Sequence, residues 1–409
     1  MKAIGSLLLS AAALALSAPA MASAPSFYDA GNVVSGSAGD FVWEARSLIV
    51  GMTPTRAAEP LPPTHVGGGD PIFMPNYTTD KGIPALIMDY GVFTSGPNTG
   101  LAARFICSGS LVASNKVVTA AHCVNSRSDT SKAKPTVTTY FHDGSLGDVR
   151  VVFNPGMTAI QAADFWINPG YTGQVIDHND VAVLRLSTNA PAWANVYDMY
   201  LDAAGLRGLE FNVKGYGNRS IPGGGGPTGG ATGGTTGYLR QGLNVYDYRM
   251  GDPIFSLIPG NGWQTVFPAN PNIAYSYISD FDSGFLVNSQ ACRVAQASNL
   301  AQAAGLIFCD TGVGAREVSV AGGDSGGPGF VKGKVATVTS YGLSFGTSWG
   351  DCRDGLQSSC GELNGFVPLY YHAKWLGGVV PEPGTWAMLI AGFGMVGAAV
   401  RRRREAAVA

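Results

Sequence analysis

Charge is scarce in this chain. Asp, Glu, Lys and Arg make up 13% of its 409 residues, about half the ~25% usual for globular proteins. The 26 basic and 28 acidic side chains leave a formal net charge of -2. With no basic excess to neutralise a phosphate backbone, nucleic-acid binding loses its main driving force. Histidine is rarer still, at 65, 122, 142, 178 and 372, so few positions can supply a general base near neutral pH. Six cysteines occur, none in C-x-x-C spacing, and H-E-x-x-H is absent, which removes the usual zinc and thioredoxin frameworks. No solenoid-length repeat and no strand-helix alternation of a parallel sheet is visible. What is plentiful is glycine, 57 residues, roughly twice the usual ~7%. Together with 45% hydrophobic residues, this describes a turn-rich β protein with enough apolar material for a sizeable core.

Both ends read as addresses. Lys2, the apolar run from Ile4 to Leu16 and the small residues ending in Ala20-Met21-Ala22 form a secretory signal, residues 1–22, too short to span a bilayer. The C-terminal end carries Pro381-Glu382-Pro383, an uncharged stretch from Gly384 to Val400 and four arginines, Arg401 to Arg404. That stretch is just long enough to cross a membrane as a helix, with the arginines on the cytoplasmic side. The triplet, helix and arginines in this order resemble the PEP-CTERM sorting tail of Gram-negative bacteria. The resemblance implies, for residues 381–404, a transient membrane anchor cut by an exosortase-type protease. It further implies export to the cell envelope, outer surface or exterior. In an exported, oxidising setting Cys107, Cys123, Cys292, Cys309, Cys352 and Cys360 are expected as three disulfides. Pairing between sequence neighbours is the expectation among the 15 possible connectivities.

Between the tails, residues 23–80 are punctuated by Pro and Gly and read as a leader or extended arm. From Ile83 onward, short β-rich runs alternate with turn signals: IPALIMDY, RFICSGSLV, KVVTAAHCV, TVTTYFH, DVRVVF and DVAVLRL, then LEFNVKGYG, LRQGLNVYDY, PGFVKGK and VATVTSYG. This spacing predicts a sandwich or barrel. Residues 222–237 read as a flexible Gly-rich loop and 250–285 as an aromatic insertion. Helices are expected over 288–304 and 364–376.

Three places carry chemistry. His122 ends an apolar strand in VVTAAHCV, beside a cysteine able to clamp its loop. Asp180 stands in HNDVAVLRL, where a strand mouth can hold its carboxylate against an imidazole N–H and fix the tautomer. Ser325 lies in GGDSGGPGF, where flanking glycines let backbone amides converge on one point and leave the hydroxyl uncovered. Gly323-Asp324-Ser325-Gly326-Gly327 also satisfies G-x-S-x-G, and Asp351 or Asp354 with His372 would complete the residue order of an α/β-hydrolase. That elbow requires a helix straight after the serine, where this sequence has Gly, Gly and Pro.

TAAHC, NDVAVLRL and GDSGGP in that order resemble the trypsin-like (chymotrypsin-fold) serine proteases, over residues 81–376. The resemblance implies an all-β fold of two antiparallel six-stranded barrels with a short C-terminal helix and the site between them. It implies His122 as general base and acid, Asp180 as orienting carboxylate, Ser325 as nucleophile, and the amides of Gly323 and Ser325 as oxyanion hole. Ser340, Tyr341 and Gly342 would pair with a peptide substrate as an added strand, and Ser319 would floor the specificity pocket. Asp324 would receive the amino terminus made by an activating cut, with Ile49-Val50-Gly51 and His65-Val66-Gly67-Gly68 as rival new ends. The chemistry so implied uses no cofactor or metal, and the partners are a protein or peptide substrate, signal peptidase and the sorting protease. Two departures stand out: Ala321 occupies a frequent cysteine position, and Ser319 replaces a pocket anion. An uncharged floor predicts apolar or small residues at the cleavage position. A non-catalytic surface module on the same fold is the competing reading.

Overall fold

The computed structural model describes residues 33–38, 41–47, 50–51, 73–126, 130–218, 236–253, 263, 267, 272–282, 284–297, 308–352, 358–380 and 395. The signal segment, most of the Gly-rich loop and the sorting tail with its expected membrane helix lie outside them, residue 395 apart. Among the described residues no helix is long and apolar enough to cross a membrane.

The leader contributes a hairpin, β1 (Val33–Ala38) and β2 (Phe41–Ser47), and a two-residue strand, β3 (Val50–Gly51). The next seven strands are β4 (Ala85–Val92), β5 (Ala102–Ser108), β6 (Ser110–Ala113), β7 (Lys116–Thr119), β8 (Thr136–Phe141), β9 (Thr158–Ile167) and β10 (Ala182–Leu186). They form an antiparallel sheet in the order β3-β5-β4-β8-β9-β10-β7-β6. The second sheet is built from β11 (Glu210–Gly215), β12 (Arg240–Val245), β13 (Tyr248–Arg249), β14 (Tyr277–Phe281), β15 (Pro328–Val331), β16 (Lys334–Ser344) and β17 (Glu362–Pro368). Its order is β12-β11-β15-β16-β17-β14-β13, with the leader's β2 paired to β16. β5 and β6 are one strand interrupted at Gly109, and β12 and β13 one strand interrupted at Tyr246-Asp247. Counted so, and with the leader strands set aside, each sheet holds six strands. The interrupted strand stands at both ends of its order, so each sheet curls toward closure instead of exposing two edges. This is the two-barrel architecture of the chymotrypsin fold.

Strand chemistry follows burial. β10 (AVLRL) buries all but Arg185, and β17 (ELNGFVP) is buried throughout. One apolar core runs from Leu86, Phe105, Val118 and Val183 into Val338 and Val367 of the second sheet. It joins the two half-barrels along the line where the site forms.

The structure departs from the sequence expectation in five places. Residues 364–376 divide: β17 runs to Pro368, and the helix is Ala373–Val379. The short apolar run from Phe366 to Leu369 spans the strand end and the turn after it, and a buried run of that length does not separate strand from helix by its period. DVRVVF, 148–153, forms no strand, because Phe153 takes a positive φ of 57° and Val151 instead bonds the carbonyl of Gly237. β9 lies outside the β-rich runs of the sequence, because small residues interrupt its alternation. The 250–285 stretch is no simple insertion, since β14 pairs with β17 inside the sheet from Tyr277 opposite Phe366 to Phe281 opposite Glu362. Most notably, the stretch expected as a leader or extended arm is strand-paired, and its hairpin adds to β16. The helix expected over 288–304 is present as Gln290–Ala297, with 298–304 outside the described residues.

Candidate active site

Three elements deliver the three side chains. His122 lies on the short helix Ala121–Val124 directly after β7. Its position is fixed by the Cys107–Cys123 disulfide, which ties the helix to β5, and by Tyr90, whose hydroxyl donates to the carbonyls of Cys123 and Asn125, both at 2.8 Å. Asp180 stands in a turn two residues before β10, with its amide bonded to the carbonyl of Asp177 at 3.1 Å. Ser325 sits in the turn before β15. That turn is held to β16 by reciprocal bonds, Gly326 N–H to the Thr339 carbonyl at 2.8 Å and Thr339 N–H to the Gly327 carbonyl at 2.9 Å.

These positions, up to 203 residues apart, meet. His122 Nδ1 is 2.6 Å from Asp180 Oδ2, and His122 Nε2 is 2.7 Å from Ser325 Oγ. The other oxygen of Asp180 accepts the backbone N–H of His122 at 2.8 Å, and Ser340 Oγ donates to Oδ2 at 2.5 Å. The carboxylate is therefore satisfied by an imidazole, an amide and a hydroxyl. In that arrangement Nδ1 carries the proton and Nε2 faces the serine as acceptor. All three residues are buried, where such bonds are strong and water does not compete.

The turn around the serine explains its glycines. Gly323 has φ +105°, and a Cβ there would stand 2.7 Å from the Cα of Gly217. Its carbonyl is turned away to accept from Ser108 Oγ at 3.0 Å. The amides of Asp324, Gly326 and Gly327 are used internally, whereas those of Gly323 and Ser325 meet no acceptor among the described residues. Two such free donors flanking the hydroxyl suit a developing oxyanion. Asp324 points the other way. Its Oδ1 accepts from Gly217 N–H at 2.8 Å and its Oδ2 from Ala321 N–H at 2.9 Å. A side chain at Gly217 would run into that carboxyl, 2.6 Å from its Cγ. Burial pushes the Asp324 carboxyl up from 3.8 to about 6, against the pull of those two amides.

Two residues that the sequence did not single out complete the frame. Ser108 donates its amide to the Ser325 carbonyl at 2.7 Å, accepts from Tyr216 N–H at 2.9 Å, and so links both barrels to the nucleophile turn. Asn364 on β17 takes Ser319 Oγ at 2.9 Å and Val320 N–H at 3.2 Å on its Oδ1. Neither has a sequence signal beyond a small polar residue within an apolar run. Ser319 is thus part of a neutral polar wall. Ser340 touches Asp180, as above. The Tyr341 side chain is wholly buried in the core, so what it can offer a substrate is backbone, and Gly342 follows it along β16.

The disulfides join sequence neighbours: Cys107–Cys123, Cys292–Cys309 and Cys352–Cys360. The one cluster of metal-ligating residue types among the described residues is Cys107, His122 and Cys123, and its two sulfurs are bonded to each other. The α/β-hydrolase alternative is overturned. A strand, β15, follows the serine, and His372 is committed elsewhere, with Nε2 donating to the His178 carbonyl at 2.7 Å and Nδ1 accepting from Asn168 at 3.0 Å.

Residues 90–228 match the trypsin family, a span that contains His122 and Asp180 but ends before Ser325. Residues 379–404 match the PEP-CTERM protein-sorting motif, which indicates export to the bacterial cell surface and processing by an exosortase. The chain is similar to the serine protease Hayan of Drosophila melanogaster, 37% identical over 89 residues, which are 22% of this chain and 12% of that protein. It therefore spans only a small part of that relative. What the comparisons show for this chain is a trypsin-family match over residues 90–228 and a PEP-CTERM protein-sorting motif over residues 379–404.

Proposed function

We propose that this protein is an active serine endopeptidase of the cell envelope or exterior of a Gram-negative bacterium. The observation that carries the reading is the continuous relay from Asp180 through His122 to Ser325, with distances of 2.6 and 2.7 Å, beside two amides that meet no acceptor among the described residues. Ser325 Oγ attacks a peptide carbonyl as His122 Nε2 takes its proton. Asp180 stabilises the imidazolium, and the Gly323 and Ser325 amides hold the oxyanion. His122 then gives the proton to the leaving amine, and water clears the acyl-enzyme with the same base. Residues 1–22 are removed by signal peptidase, residues 81–376 form the protease domain, and the tail anchors the chain until the sorting protease cuts it. Ser340 to Gly342 receive the substrate backbone. The neutral pair Ser319 and Asn364 selects apolar or small side chains.

Labelling with a fluorophosphonate tests the reading. Purified protein is expected to label, and Ser325→Ala is expected not to. Correctly processed protein that does not label would support a non-catalytic surface module instead.

A further inference from the structure

The leader is strand-paired on both flanks of the triad. β2 runs antiparallel to β16, with Ser47 opposite Tyr341, Arg46 opposite Gly342, Ala45 opposite Leu343 and Glu44 opposite Ser344. This takes up the strand on which a substrate backbone would add. β3 then pairs with β5, Val50 opposite Ile106 and Gly51 opposite Phe105. Both partner strands touch the catalytic groups. Ser340, next to Tyr341, bonds Asp180, and Ser108, two residues beyond Ile106, donates its amide to the Ser325 carbonyl at 2.7 Å. Three residue steps join Ser47 to Val50, at most about 11 Å of chain. The leader therefore crosses from one flank of the nucleophile to the other within three peptide bonds.

It is also anchored. Trp43 is 8% exposed and meets Phe267 edge-on with ring centroids 4.7 Å apart, and Ala45 is fully buried in the core cluster that contains Tyr341. Ser325 is 0% exposed, so an outside peptide reaches it only by displacing what covers it.

We infer that the leader is a built-in strand occupying the substrate groove, and that the first bond this enzyme cuts is its own, between Ser47 and Val50. The inference rests on the protease reading and names its first substrate. The step is hydrolysis within one molecule. The Ser325 oxygen bonds the leader carbonyl carbon, the C–N bond breaks, and the serine proton passes through His122 to the leaving amine. Water then releases the upstream piece as a carboxylic acid. Of the three bonds in the span, the one after Leu48 suits a pocket floored by uncharged Ser319. Cutting there separates the hairpin strand from the protease domain and frees Ile49-Val50-Gly51 as a new end.

Intact-mass measurement and N-terminal sequencing of full-length protein exported from a bacterial host provide the test. The unaltered protein is expected to begin between residues 48 and 50, and Ser325→Ala is expected to keep residues 44–47 joined to the rest. Equal cutting in both proteins, or an uncut active protein, overturns the inference. Adding purified cut enzyme to a hundredfold excess of Ser325→Ala separates cutting within one molecule from cutting between molecules. The variant should persist, because its own groove shields the bond, and its rapid conversion refutes the intramolecular step. Fluorophosphonate labelling distinguishes the two failures. A protein that labels but leaves its leader uncut sinks this inference alone, and one that does neither sinks the protease reading as well.

Discussion

Asp324 holds the most readily quantified tension in the molecule. Its carboxyl is buried among glycines, accepts two backbone amides, and is raised from 3.8 to about 6 by loss of hydration. Between those values the unfolded chain has released the proton while the folded chain keeps it. The native state then binds more protons, and stability falls as pH rises. Above about pH 6 the loss from this group is complete and amounts to about 3 kcal/mol. Asp324→Asn removes the titration and retains one amide acceptor. The comparison belongs in a Ser325→Ala background, in which the self-cut proposed above does not occur. Urea unfolding at pH 3 and pH 8 gives the stability of each protein. The difference, variant minus parent, should move by about 3 kcal/mol in the variant's favour from the lower to the higher pH. Burial also raises Asp280 to about 7 and Glu317 to about 10, but those groups are present in both proteins and cancel in the difference. A change below about 1 kcal/mol, or one of opposite sign, would refute the reasoning.

Other outcomes follow from the same geometry. Asp180→Asn should lower kcat on a peptide amide by about 10³- to 10⁴-fold with little change in KM, since the wrong imidazole tautomer then faces Ser325; a loss under tenfold would argue against the relay. Gly323→Ala forces a side chain into a φ of +105° and against Gly217, and should cost at least ~10² in kcat by misaiming an oxyanion donor. Removing the Cys107–Cys123 bridge, whose partners are 16 residues apart, should cost about 3 kcal/mol of unfolding free energy, read as a lowered urea midpoint. Ser319→Asp should shift a peptide panel toward Lys or Arg by at least tenfold, about 1.4 kcal/mol; an unchanged preference would show that Ser319 does not floor the pocket.

Local chemistry determined a good deal of this protein from the sequence. Glycines in a tight turn, a histidine beside a cysteine and an aspartate ahead of an apolar run make Ser325, His122 and Asp180 candidates, and only the three motifs taken together, through their resemblance to trypsin-like proteases, imply their roles. Short alternating runs between turn residues mark the β class, and an even cysteine set in an exported chain marks the disulfides. What the sequence could not supply was anything set by who lies opposite whom. β17 has no exposed face to betray its period, because it is buried throughout, Glu362 and Asn364 included. Ser108 and Asn364 look like ordinary small polar residues until folding brings them to the nucleophile turn and to Ser319. The leader is the clearest case. Residues 33–47 show no pattern strong enough to announce strands, because their pairing is completed by β16, about 300 residues downstream. A strand's partner is chosen by edge, register and burial across the whole molecule, and only the tertiary structure decides that this hairpin lies along β16.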